Sequence, residues 1–158
     1  MFRELTRKNQ ALTMEECVHI LQTERRGVLS VNGDDGYPYA MPMNHWYDED
    51  SGKIYFHCGR TGHRLDALKR DGRVSFCVYD GGECEPGQWA LKVKSVVAFG
   101  RIAIVDDMDR IVDISRKLSY KFTRDDAYID NEIAKYAPAT LLWELTVEHI
   151  CGKRVTES

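Results

Sequence analysis

Apolar positions along this chain change their spacing several times, and each change predicts an element. Over residues 13–24, Cys17, Ile20 and Leu21 recur at helical spacing, and Thr13 with Glu16 forms a capping-box pair at the start. A helix is predicted there. Residues 27–32 are short and apolar and run into the turn-rich Asn32-Gly33-Asp34-Asp35-Gly36. A second extended segment is predicted over 37–47 and a third over 53–58. In the third, Ile54 and Phe56 alternate with Tyr55 and His57.

Helical spacing returns over 62–70, where Leu65 and Leu68 share a face and Asp71-Gly72 ends the run. Residues 73–79 predict another strand. Residues 81–88 are rich in Gly, Pro and Glu and predict a mobile loop. The strand expected over 92–105 is long enough to curl around a barrel. A helix capped by Asp106 or Asp107 is predicted to about Phe122, with Ile111, Ile114 and Leu118 on one side. A shorter helix over 126–136 and a closing strand over 139–150 complete the reading. In that last strand Leu141, Trp143, Leu145 and Val147 alternate with Leu142, Glu144, Thr146 and Glu148. Helices interrupt the strand order, which predicts an α+β chain built as an antiparallel split barrel with peripheral helices, in a single domain.

Composition narrows the function. The 22 Lys and Arg against 25 Asp and Glu leave a formal net charge of −3, so a dedicated nucleic-acid binder, with its basic excess, loses weight. The first residues hold no apolar stretch of signal-peptide length, and no run approaches the roughly 20 apolar residues of a membrane span. A soluble, cytoplasmic protein is expected. Five cysteines, Cys17, Cys58, Cys77, Cys84 and Cys151, with no C-x-x-C pair, read as reduced thiols, most of them small core residues. His57, Cys58 and His63 with Cys77 and Cys84 do not have zinc-site spacing, and no metal is expected. No G-x-S-x-G elbow, Walker loop or G-x-G-x-x-G fingerprint is present.

Three segments carry candidate chemistry. From Ile54 to Leu65 a strand ends in a glycine-containing basic loop, and a helix begins. Free amides and the helix dipole make such a corner a phosphate site; Gly59 and Gly62 allow close approach, and Arg64 supplies a two-pronged grip. A solvated turn bearing surface charges has the same spacing. In Tyr39-Ala40-Met41-Pro42-Met43-Asn44-His45, Pro42 cannot donate to a ladder, so it marks an edge, a bulge or a gap against which a planar ring can lie. Asn44 would then bond the ring's polar edge; an ordinary edge strand explains Pro42 equally well. Lys94 and Ser95 open an otherwise apolar strand, either to reach a ligand or as a solvated strand end.

Taken together, these segments resemble the pyridoxamine phosphate oxidase-like superfamily, in particular its nitroimidazole-resistance branch. The stretches that carry the resemblance are Gly36 to Asn44, Ile54 to His57 through Gly62 to Leu68, Arg73 to Phe76, Lys94 to Arg101, and His149 to Lys153. The resemblance implies a split barrel forming a homodimer with FMN between subunits. By it, Tyr39, Met41, Pro42, Met43 and Asn44 lie along the flavin ring. His57, Cys58, Gly59, His63 and Arg64 hold the phosphate, Lys94, Ser95 and Val96 add contacts, and residues around Trp143 complete the partner's pocket. Two departures stand out: Arg64 where the family usually has Lys, which keeps the charge, and Gly59 in place of the more usual Ala. The implied activity is an FMN-dependent oxidoreductase moving electrons from a nicotinamide donor, NADH or NADPH, to a small acceptor such as a nitroaromatic. His57 is the candidate proton donor, because imidazole titrates near neutrality; a His satisfied by local bonds or by the phosphate fits the same position. The rival is a flavin-binding or sensing module without turnover, since fold does not fix function.

Overall fold

The computed structural model describes residues 2–157. Four helices accompany eight strands among the described residues: α1 (Met14–Thr23), β1 (Arg26–Asn32), β2 (Pro38–Asn44), β3 (Trp46–Asp48), β4 (Lys53–Gly59), α2 (His63–Arg70), β5 (Arg73–Tyr79), β6 (Glu83–Cys84), β7 (Leu91–Val105), α3 (Met108–Ser119), α4 (Asp126–Tyr136) and β8 (Thr140–Glu157). None of these helices is long and apolar enough to cross a membrane. The helix starts have local causes. The Thr13 hydroxyl accepts from the Glu16 amide, and the Glu16 carboxylate accepts from the Thr13 amide at 2.9 Å. Asp107, not Asp106, caps α3 through the Arg110 amide at 2.8 Å. Asp106 is instead gripped by both arms of Arg60 at 2.7 Å.

All strands pair antiparallel in the order β2-β1-β5-β7-β8-β4-β3, with β6 added to β7. The two end strands, β2 and β3, are consecutive in the chain and separated by His45 alone. A sheet whose outermost strands are joined by one residue must curl until its ends meet. The result is a barrel open along one seam, the expected α+β split barrel.

His45 sits in that seam, and it corrects the single extended segment predicted over 37–47. The chain leaves the β1 edge at Asn44 and joins β4 from Trp46, so one strand becomes two. His45 is fully buried, with Nε2 2.8 Å from the Leu21 carbonyl at the end of α1. Nε2 therefore donates, which leaves Nδ1 a bare acceptor without a partner. Lys121, just beyond α3, donates to the carbonyls of Glu24 (2.5 Å) and His45 (3.0 Å) and ties α1, the seam and α3 together.

Inward alternation fills the barrel. Leu29 and Val31, Val74, Phe76 and Val78, Val96 and Ala98, Trp143 and Leu145, and Ile54 and Phe56 form one core, closed by Cys17, Ile20 and Leu21 of α1 and by Leu65 and Leu68 of α2. A second core lies on the outer face of β4 and β8, where Tyr55 and Leu142 meet Ile111 and Ile114 of α3. It explains why Leu142, on the nominally polar side of β8, is apolar. Of the cysteines, Cys17 and Cys58 are buried, Cys77 and Cys151 half-buried and Cys84 exposed.

Two other expectations change. β8 runs past residue 150 to Glu157 because Cys151 to Glu157 pair with the first half of β7, Leu91 to Val97. Its last residues oppose Lys92 and Lys94, so this solvated ribbon has no apolar alternation to read. The predicted mobile loop contains β6, a two-residue strand on Leu91 and Lys92. Asp80 pins this hairpin by accepting from the amides of Gly82 (3.1 Å) and Lys94 (3.0 Å).

Candidate functional site

A cavity of about 580 Å³ opens between the end of β4, the start of α2 and the wall formed by α3 and α4. Its volume is in the range of small-molecule sites. The strand side contributes Asn44, His57, Cys58, Gly59 and Arg64. The position of these residues follows from the two cores. Phe56 and Cys58 point into the barrel, so His57 must point outward, toward the helices.

Arg64 is the charged centre of the strand side. It is half-buried, forms no ion pair among the described residues, and lies 5.8 Å above the Trp143 ring. The contrast with its neighbours is sharp: Arg60 is taken by Asp106, and Arg70 by Asp34 at 2.6 Å. Gly62 starts α2 at φ +125°, a backbone region that favours glycine, and no side chain caps the helix. The Leu65 and Asp66 amides already donate to the Gly62 carbonyl, so the His63 and Arg64 amides and the guanidinium are left for an anion. Asn44 supplies the complementary group: its Oδ1 is buried without a hydrogen-bond partner, an acceptor that needs a donor N–H.

Local electrostatics set the remaining groups. Loss of surrounding water holds the His57 imidazole below its ordinary pKa, although the ring remains reachable from solvent. Near neutral pH it is an uncharged hydrogen-bonding and proton-accepting group. Burial pushes the Cys58 thiol up, opposed by the Arg64 charge, so Cys58 stays protonated.

The other predicted site residues lie elsewhere in the structure. His63 turns away from the cavity, stacks on Tyr39 at 4.4 Å and faces Asp34 at 3.3 Å. Met41 and Met43 point into the barrel core, as does Val96. Pro42 is exposed on the edge strand opposite Val28. Lys94 and Ser95 sit on β7 across from Arg154 and Lys153. Trp143 is fully buried, with Nε1 unpartnered, and meets the site only from beneath Arg64, not at a surface that a partner could reach. The helix wall (Ser115, Phe122, Tyr128, Glu132 and Tyr136 among it) escaped sequence reading. The available signal was the spacing of Tyr128, Glu132 and Tyr136, four residues apart on one helix face. A second concavity of about 430 Å³, between Ser30, Ser75 and Phe99 on the outer sheet face, contains none of the predicted residues.

Comparison with known proteins agrees with this architecture. A candidate 5-nitroimidazole antibiotic resistance protein from Bacteroides thetaiotaomicron VPI-5482 superposes with a TM-score of 0.78 at 18% identity, over 92% of this chain and 87% of that one. The conserved hypothetical protein Rv2991 from Mycobacterium tuberculosis gives 0.79 at 18% identity, covering 95% and 90%. An FAD-binding protein from Mesorhizobium loti gives 0.64 at 21% identity, covering 92% and 97%. At such identities the likeness establishes the fold. No curated protein matches the chain by sequence. The family model described as pyridoxamine 5'-phosphate oxidase matches residues 13–154, nearly the whole chain, and the protein belongs to that family.

Proposed function

We propose that this protein binds FMN in the β4–α2 cavity of a homodimer and passes electrons from a nicotinamide donor to a small nitroaromatic-like acceptor. The observation that carries the reading is the unpaired Arg64 guanidinium at an uncapped helix start, in the same cavity as the orphaned Asn44 acceptor. A terminal phosphate fits the first, and a ring N–H fits the second. Relatives of the same fold include an FAD-binding protein and a candidate nitroimidazole-resistance protein. Pro42 and Ser95 face away from the barrel interior, the side on which a second copy of the chain would add contacts to a shared flavin.

Bound flavin would supply the hydride chemistry. The chain's own residues bind and orient: Arg64 and the α2 amides fix the anionic end, Asn44 fixes the polar ring edge, and the α3–α4 wall excludes water. His57, kept neutral, donates or accepts a hydrogen bond beside the ring, and it would act as a proton donor only after taking up a proton. That neutrality favours one second reading, a flavin-binding module without turnover.

Arg64→Ala should weaken FMN binding by about 1.5–3 kcal/mol, roughly 10- to 150-fold, through loss of charge-assisted hydrogen bonds. Riboflavin, which lacks the phosphate, should bind wild type and variant alike in the same fluorescence titration. Equal losses for both ligands, or for neither, would place the phosphate elsewhere. Anaerobic mixing of the FMN-loaded protein with NADH or NADPH separates enzyme from binder: bleaching supports turnover, and lasting yellow colour supports the module.

A further inference from the structure

Tyr128, Glu132 and Tyr136 lie along one face of α4, and all three line the cavity. The carboxylates of the neighbouring turns are neutralised, since Arg116 holds both Asp130 and Asp126. Glu132 is half-buried beside Ile129 and Ile133 and has no ion pair or hydrogen bond among the described residues. Its oxygens are therefore open to a cation or an N–H donor. The rings around it are suited to the same kind of ligand. Arg25 already lies 5.6 Å over Phe122 and Lys135 4.8 Å over Tyr136, whereas the Tyr128 ring, 57% exposed, has neither a cation nor an aromatic partner among the described residues. A free aromatic face next to an unpaired carboxylate is the arrangement that holds organic cations.

We propose that the α4 side of the cavity is a subsite for a planar cationic aromatic, an N-alkylated nitrogen heterocycle, stacked on Tyr128 with its charge against Glu132. This rests on the flavin reading in one respect: it names the class of small molecule that would sit beside the flavin. Arg64, on the strand side, takes the anion, and Glu132, on the helix side, takes the cation, so the two ends of the cavity select opposite charges.

The test titrates the purified protein, with and without FMN, against fluorescent N-methylacridinium and against neutral anthracene of similar shape. The cation should bind at least about tenfold tighter than the neutral ring, and Glu132→Gln should abolish that preference. Tyr128→Leu, a change on an exposed helix face, should weaken the cation about fivefold. Equal affinity for the two rings, or a preference that survives Glu132→Gln, overturns the proposal. FMN titrated in the same samples separates the two ideas. Failure of FMN to bind beside an intact cation preference sinks the flavin reading alone, and normal FMN binding without that preference sinks the subsite alone.

Discussion

Gly100→Ala is expected to cost about 3 kcal/mol or more of folding stability, enough to abolish the fold in a marginal domain. Gly100 lies where the β7–β8 register slips: Phe99 opposes His149, Gly100 opposes Val147, and Glu148 is the extra residue. A Cβ here would stand 2.1 Å from the Thr146 carbonyl oxygen and 3.0 Å from Leu145 Cδ1. The nearer atom is backbone, so relief requires shifting the longest strand pair in the sheet. Gly59→Ala is the control. A Cβ there meets nothing within 4 Å, and the change should stay within about 0.5 kcal/mol. Urea midpoints of the two variants check the pair; matching midpoints would mean that the bulge can relax.

Acid should unfold the protein earlier than its carboxylates alone would dictate. Burial, then the nearby Lys121 charge, pull His45 down to about 3, against a weaker upward pull from its bond to Leu21. The unfolded chain takes up this proton near the ordinary histidine value of about 6.5, and the folded chain does not. Between those values the unfolded state binds more protons, so stability falls as pH drops, with a slope approaching about 1.4 kcal/mol per unit. From pH 7.5 to 5 the loss should be about 2 kcal/mol, in a window above most carboxylate titration. Lys121, itself lowered to about 8 by burial, stays mostly charged and becomes more so as pH falls, so it keeps opposing a second charge at the seam. His57 shifts in the same direction but is solvent-reachable, which reduces its share. Urea denaturation across this range, repeated with His45→Gln, checks the assignment: the variant should show a flatter profile, and a flat wild-type profile would remove His45 from the account.

The candidate site was half legible before any fold was known. The strand–loop–helix corner from His57 to Arg64 shows in the sequence because glycines, basic residues and a change of period coincide there. Which of its basic residues stays free does not show. Arg60, His63 and Arg64 look equivalent along the chain, yet Arg60 meets Asp106 from 46 residues away and His63 meets Asp34 from the other side. Only Arg64 is left facing the cavity. Met41 and Met43, adjacent to Asn44 in an apparently uniform strand, are turned inward by the pleat.

Features with local causes were determined by the sequence alone: the cap at Thr13, the helical stripes, the alternation of β4 and the turns at glycine. Each depends on contacts within about four residues, so neighbouring side chains suffice to specify it. The tertiary structure decided the seam at His45, the outer core beneath α3, the full length of β8 and the helix wall of the cavity. These depend on which distant surfaces meet when the sheet curls, and that pairing leaves no periodic trace in a strand whose two faces are both covered, or in a ribbon whose partner is polar.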